Sequence, residues 1–137
     1  MNDRFKFRVW DKQDGCYAYS NNSDVDVLYI ETDGELTYGV YNNDYEDMNY
    51  IPESEIIIEQ CTGLKDKNGK SIYEGDIVQM SYPYCSNNQY MIKWGDCCWE
   101  LWLENGFVYV VYEKMSHSME VIGNIHENAD LIKVGGK

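Results

Sequence analysis

Only two prolines occur in this 137-residue chain, and nothing in it reads as a stiff linker or a low-complexity tract. One domain is the simplest division at this length. No apolar run approaches membrane-spanning length, and the N-terminal "MNDRFKFRVW" has no apolar signal core. That excludes a helical membrane protein and predicts a cytoplasmic one. Cysteine pairs at C-x-x-C spacing are also missing. The five thiols are Cys16, Cys61, Cys85, Cys97 and Cys98, an odd number with one adjacent pair. A secreted disulfide framework would use an even set, so reduced thiols are expected.

Positive charge is missing over a long interval. From Gln13 to Leu64 there are twelve acids and no Lys or Arg, while the acids elsewhere nearly balance the eleven bases. Almost the whole net charge of −13 therefore lies in that interval. Phosphate neutralisation supplies most nucleic-acid affinity, so nucleic-acid binding by this part is disfavoured. The bases gather in two short clusters, Arg4, Lys6, Arg8 and Lys12, then Lys65, Lys67 and Lys70. A weak nucleic-acid contact through such local patches stays open. The acidic interval, with Asp44, Glu46 and Asp47 at its densest point, suits either a solvated face or a protein-binding surface that imitates nucleic acid.

Helical periodicity is scarce too. Apolar spacing of three and four residues persists nowhere for the ten or more that a helix needs, and only "HENADLI", 126–132, suggests a short C-terminal helix. What the chain has instead is aromatic residues at 15%, thirteen of them tyrosines, together with turn signals. Aromatics fit a pleated, half-buried surface. "FKFRVW" alternates as a strand, with Phe5, Phe7 and Val9 inward and Lys6 and Arg8 outward, and "DKQDG" turns it back into "CYAY". Asp33-Gly34 and Asn105-Gly106 are two-residue hairpin signals. "EIIIEQC", "DIVQMSY", "QYMIKW", "CWELWL" and "MEVIGNI" read as further strands, and "NNDYEDMNY" as a loop or edge. Many short strands punctuated by turns predict an all-β barrel or sandwich.

The stretch "CTGLKDKNGKSIYEGDIVQM", Cys61 to Met80, is the most specified. Its Gly63, Gly69, Lys70 and Ser71 resemble a phosphate loop, but five residues separate the glycines where four are needed. Gly75 would also break the helix that must follow. Turn chemistry explains the residues better. Asn68-Gly69 suits a tight turn, Asp66 and Asn68 can bond the local backbone, Glu74-Gly75-Asp76 makes a second corner, and Ile72 and Tyr73 return to the core.

Three blocks, "FKFRVWDK", "CTGLKDKNGKSIYEGDIV" and "EVIGNIHENADLI", resemble the signature blocks of the YopX family of bacteriophages and prophages. They occur in order and frame nearly the whole chain. Two positions depart from the pattern, Cys61 where an aromatic is usual and Ala129 where proline is frequent. The resemblance implies a mostly β fold, with an SH3-type barrel at about 61–137 and added β-hairpins at about 13–60. It implies phage origin and transfers no catalytic residues. The motif positions it marks are Gly63, Leu64, Asp66, Asn68, Gly69, Tyr73, Glu74, Gly75 and Asp76.

Cys85, Cys97, Cys98, His117 and His126 lack the ligand spacing of structural zinc, and adjacent strand residues point to opposite faces, so no metal or cofactor is expected. A Cys–His hydrolase site is unmarked by sequence. The aromatics Trp94, Trp99, Trp102, Phe107, Tyr109 and Tyr112 either line a groove or form core and cross-strand pairs. Trp102 shares a face with Glu100 and Glu104, opposite Trp99, and is expected at the surface. The reading that follows is a non-enzymatic protein–protein interaction module. Its partner would be a host or phage protein, with self-association also open, and its interaction surface would include Trp102, Asp44, Glu46 and Asp47.

Overall fold

The computed structural model describes residues 6–19, 26–30, 33–41, 48–80, 89–104 and 106–132. Twelve antiparallel strands lie among them, in two compact units, Phe5–Gln60 and Cys61–Lys137, the latter counting Met1–Arg4 with it. None of the described helices is long and apolar enough to cross a membrane.

In the first unit, β1 (Phe7–Asp11) pairs with β2 (Cys16–Tyr19) and, along its other edge, with β6 (Ile56–Lys65). The "DKQDG" turn forms as expected, because Gly15 takes a positive φ of 65° and the Asp11 carboxylate accepts from the Gln13 and Asp14 amides. A second sheet holds β3 (Asp26–Ile30), β4 (Leu36–Tyr41) and β5 (Met48–Tyr50). The Asp33-Gly34 hairpin is present, but Ile30 pairs with Leu36, so the connection is 31–35 and not a two-residue turn. Val9, Tyr38 and Ile56 form a small core, with Ala18, Ile51 and Ile58 packed against it.

The sequence predicts Lys6 and Arg8 on the outer side of β1, and for Arg8 this is wrong. Arg8 is only 4% exposed, because Nε donates to Glu59 Oε1 at 2.9 Å and the guanidinium lies 4.1 Å from the centre of the Tyr17 ring. The Tyr17 hydroxyl donates to the same carboxylate oxygen at 2.9 Å, and Trp10 meets Tyr17 edge-on. Both faces of β1 are therefore covered.

In the second unit, the first part of the specified stretch is strand. β6 runs on to Lys65, and β7 (Ser71–Tyr73) returns against it. A five-stranded sheet follows in the order β11-β10-β9-β8-β12, made of β8 (Asp76–Met80), β9 (Gln89–Trp94), β10 (Trp99–Leu103), β11 (Gly106–Val110) and β12 (Met119–Asn124). Its core is Ile72, Val78, Met80, Tyr90, Ile92, Leu101, Val111, Met115 and Met119. Met115 comes from α1 (Glu113–Ser116), a single turn that sequence periodicity could not announce. "HENADLI" is a 3-10 turn only at Ala129–Ile132; the Asn124–Asn128 turn precedes it.

That turn depends on Gly123. Asn124 Oδ1 accepts from the His126 and Glu127 amides, while Asn128 Oδ1 accepts from the Asn124 amide at 3.2 Å. A Cβ on Gly123 would collide with the Asn128 side chain. Gly123→Ala is expected to lower unfolding free energy by about 1–3 kcal/mol through this overpacking, measured by urea denaturation. An unchanged midpoint would show that Asn128 moves aside freely.

Candidate functional site

The specified stretch resolves into two bonded corners. Asp66 is 4% exposed, and its Oδ1 accepts from the Asn68 and Lys70 amides at 2.8 and 2.9 Å. Its Oδ2 accepts from the Val121 amide on β12 at 3.0 Å. The Lys67 amide adds a bond to Met119 O. One carboxylate thus shapes the "DKNG" turn and ties it to a strand 55 residues away. Burial alone would raise its pKa. The Val121, Lys70 and Asn68 amides and the Lys70 charge outweigh that and hold the carboxyl below the usual carboxylate range.

The second corner uses the same device. Asp76 Oδ2 accepts from the Tyr73 amide at 2.8 Å, Gly75 takes a φ of 86°, and Glu74 is half-buried between them. The Gly75 amide bonds Ile92 O and its carbonyl accepts from Ile125, which joins the corner to β9 and to the end of β12. Gly63 and Gly69 also have positive φ, Leu64 packs on the core, and Asn68 and Gly69 are exposed at the tip. Each motif position is therefore placed in turn geometry or in the core.

The basic clusters are partly committed. Arg8 is buried on Glu59, and Lys67 Nζ lies 3.2 Å from Glu120 Oε2. Arg4 lies outside the described residues, as do Asp44, Glu46, Asp47 and Cys85.

Trp102 is half-buried. Its Nε1 donates to Glu100 Oε1 at 3.0 Å, and Lys93 Nζ sits 4.5 Å from the ring centre. Other aromatic positions are more open. Trp94 is 54% exposed and meets Trp99 edge-on at 5.0 Å. On the edge strand β11, Tyr109 and Val110 are 42% and 47% exposed, and Tyr112 just beyond is 48% exposed. Sequence named Trp94, Tyr109 and Tyr112 only as members of an undivided aromatic set. Which of them lie open depends on strand order, which periodicity does not contain.

The adjacent thiols also differ from expectation. Cys97 and Cys98 occupy the β9–β10 turn, where the Gly95 amide bonds Cys98 O. The opposite-face argument from strand geometry fails because they are not in a strand. Partial desolvation, then Cys97, then the Glu100 and Asp96 charges push the Cys98 thiol up. Among the described residues, no group of three or more His, Cys, Asp or Glu could hold a metal ion. With a thiol reagent on the native protein, the exposed Cys16 and Cys97 should react first and Cys98 more slowly, while the buried Cys61 reacts only on unfolding. Peptide mapping of a timed alkylation reads the order, and early labelling of Cys61 would contradict its burial.

These features define a small antiparallel β protein whose most specified sequence block is a turn scaffold. The family model described as "YopX protein" matches residues 6–133, and the chain belongs to that family. The crystal structure of protein EF1440 from Enterococcus faecalis is similar at a TM-score of 0.60 and 26% identity, over 93% of this chain and 97% of that one. Protein yopX from Bacillus subtilis is similar at a TM-score of 0.69 and 22% identity, over 97% of this chain and 100% of that one. Comparison with curated proteins gave no match.

Proposed function

We propose that this chain is a non-enzymatic protein–protein interaction module of phage or prophage origin, working in the cytoplasm of a bacterial host. The observation that carries the reading is the β11 edge of the five-stranded sheet, which no other strand covers among the described residues. There Tyr109 and Val110 on β11, and Tyr112 beyond it, present apolar surface to solvent. Edge strands that are exposed and apolar pair with other chains unless they are guarded, and aromatic residues dominate the centres of interfaces. Family membership gives the phage setting as an inference.

The turn scaffold supports this reading by accounting for the motif residues in structural terms. Burial of Arg8 on Glu59 removes one cation from the basic patches and one anion from the acidic interval. Both nucleic-acid readings lose some support from that pair.

The test compares affinity capture from phage-infected host cells by the wild-type chain and by Val110→Lys. A charge on the edge strand should remove the captured partner while the circular dichroism spectrum stays unchanged. Equal capture by both proteins would overturn the assignment to this edge.

A further inference from the structure

Among the described residues, the first unit also holds an open backbone edge. The Lys12 amide donates to Glu55 O at 3.0 Å, one step beyond the Asp11–Ile56 end of the β1–β6 register. Hydrogen-bonded and non-bonded pairs alternate along antiparallel strands. Trp10 with Ile57, and Arg8 with Glu59, are therefore the bonded pairs. It follows that Ile56 and Ile58 turn their backbone groups away from β1. The Ile56 amide is used locally, on Glu53 O. The Ile58 N–H and C=O project from the far edge. Among the described residues β7 meets β6 only at Cys61 and Lys65, so no strand pairs with β6 over Ile56–Ile58.

A cleft of about 470 Å³ lies at this edge, lined by Gly34, Glu35, Leu36, Glu53 and Ile56–Ile58. That volume is within the range of real binding clefts. Its chemistry is two-sided. Ile57, 36% exposed, and the half-buried Ile58 and Leu36 give apolar surface. Glu35 and Glu53 are both exposed, with no ion pair among the described residues.

We propose that this cleft binds an extended peptide segment of a partner protein, in which basic and apolar residues alternate, by adding it as a strand to the free edge of β6. The peptide backbone pairs with the Ile58 N–H and C=O. Side chains alternate along a strand, so successive peptide residues meet the Ile58 face and the Ile57 face in turn, and the basic set pairs with Glu35 and Glu53. Charge selects the source. A second copy of this chain would bring its own acid-rich interval and a charge of −13 to a site flanked by two carboxylates, so a basic partner is favoured over self-association.

This site is separate from the β11 edge, and the experiment keeps the two apart. Isotope-labelled full-length protein is titrated with the peptide acetyl-Lys-Val-Lys-Val-Lys-Val-amide, with its Glu-for-Lys counterpart, and with a version N-methylated at alternate amides. The lysine peptide should shift the Ile56–Ile58 resonances and slow exchange of the Ile58 amide about tenfold or more at saturation. The glutamate and N-methylated peptides should do neither. Glu35→Lys with Glu53→Lys should weaken binding about tenfold. The proposal is overturned if Ile58 exchange is unchanged by the lysine peptide, or if the N-methylated peptide binds equally well. An Ile58 amide already protected in a dimer would overturn it too. Shifts confined to Tyr109 and Val110 would also overturn it and leave the β11 reading standing.

Discussion

Glu59→Ala is expected to lower the unfolding free energy by about 3–5 kcal/mol, because it removes the carboxylate that pairs with a buried guanidinium. Glu59 is 2% exposed and Arg8 4%. With the carboxylate gone, the Arg8 guanidinium keeps its charge, since it does not deprotonate in proteins, and loses its anionic partner at 2.9 Å. The Tyr17 hydroxyl loses its acceptor as well. For a domain of this size such a loss lowers Tm by roughly 10–20 °C, read by calorimetry or thermal circular dichroism. A change under about 1 kcal/mol would show that the pair behaves as if it were at the surface.

The double variant Arg8→Met with Glu59→Leu separates attraction from desolvation. Replacing both members of a buried ion pair by apolar residues is often neutral or stabilising. The double variant should therefore be more stable than either Arg8→Met or Glu59→Leu alone. In a double-mutant cycle that appears as a large coupling energy. Additive losses would place the cost in packing around Trp10 and Tyr17 and not in charge.

The same pair marks what sequence could and could not disclose. Turns are local, so Gly15 announced a hairpin that the structure contains, whereas the Asn105-Gly106 signal is displaced: Gly106 already pairs with Leu103 as the first residue of β11, and Asn105 lies outside the described residues. The alternation of "FKFRVW" was also visible, but it implied a wet outer face. Arg8 is buried through Glu59, 51 residues along the chain, and alternation holds no information at that range. Asp66 was legible as a turn former because its bonds to Asn68 and Lys70 are local. Its third bond, to Val121, was not. The turn at Gly123–Asn128 sat inside a recognised block, but its reciprocal Asn124 and Asn128 bonds have no composition signal beyond two asparagines. The β6 edge required strand order, which only the folded chain supplies.

Asp66→Ala should be the other severe substitution, at about 2–4 kcal/mol, since an unsatisfied buried donor costs about 1–3 kcal/mol and three amides would lose their acceptor. Asp66→Asn is the sharper experiment. Its single amide oxygen can serve the Asn68 and Lys70 amides, but its NH2 group would then face the Val121 N–H, donor against donor. Asn68 and Lys70 should keep slow amide exchange in that variant while Val121 exchanges faster. The pH dependence has a definite sign. The folded carboxyl titrates below its unfolded counterpart, so its contribution is fully present above the unfolded value, about pH 4. It is lost as pH falls through the lower folded value. Stability of the wild type should therefore drop more steeply than that of Asp66→Asn below about pH 4, with the two curves running parallel at neutral pH. Urea midpoints taken across that range decide it, and identical slopes in the acid limb would remove Asp66 as the titrating tie between turn and strand.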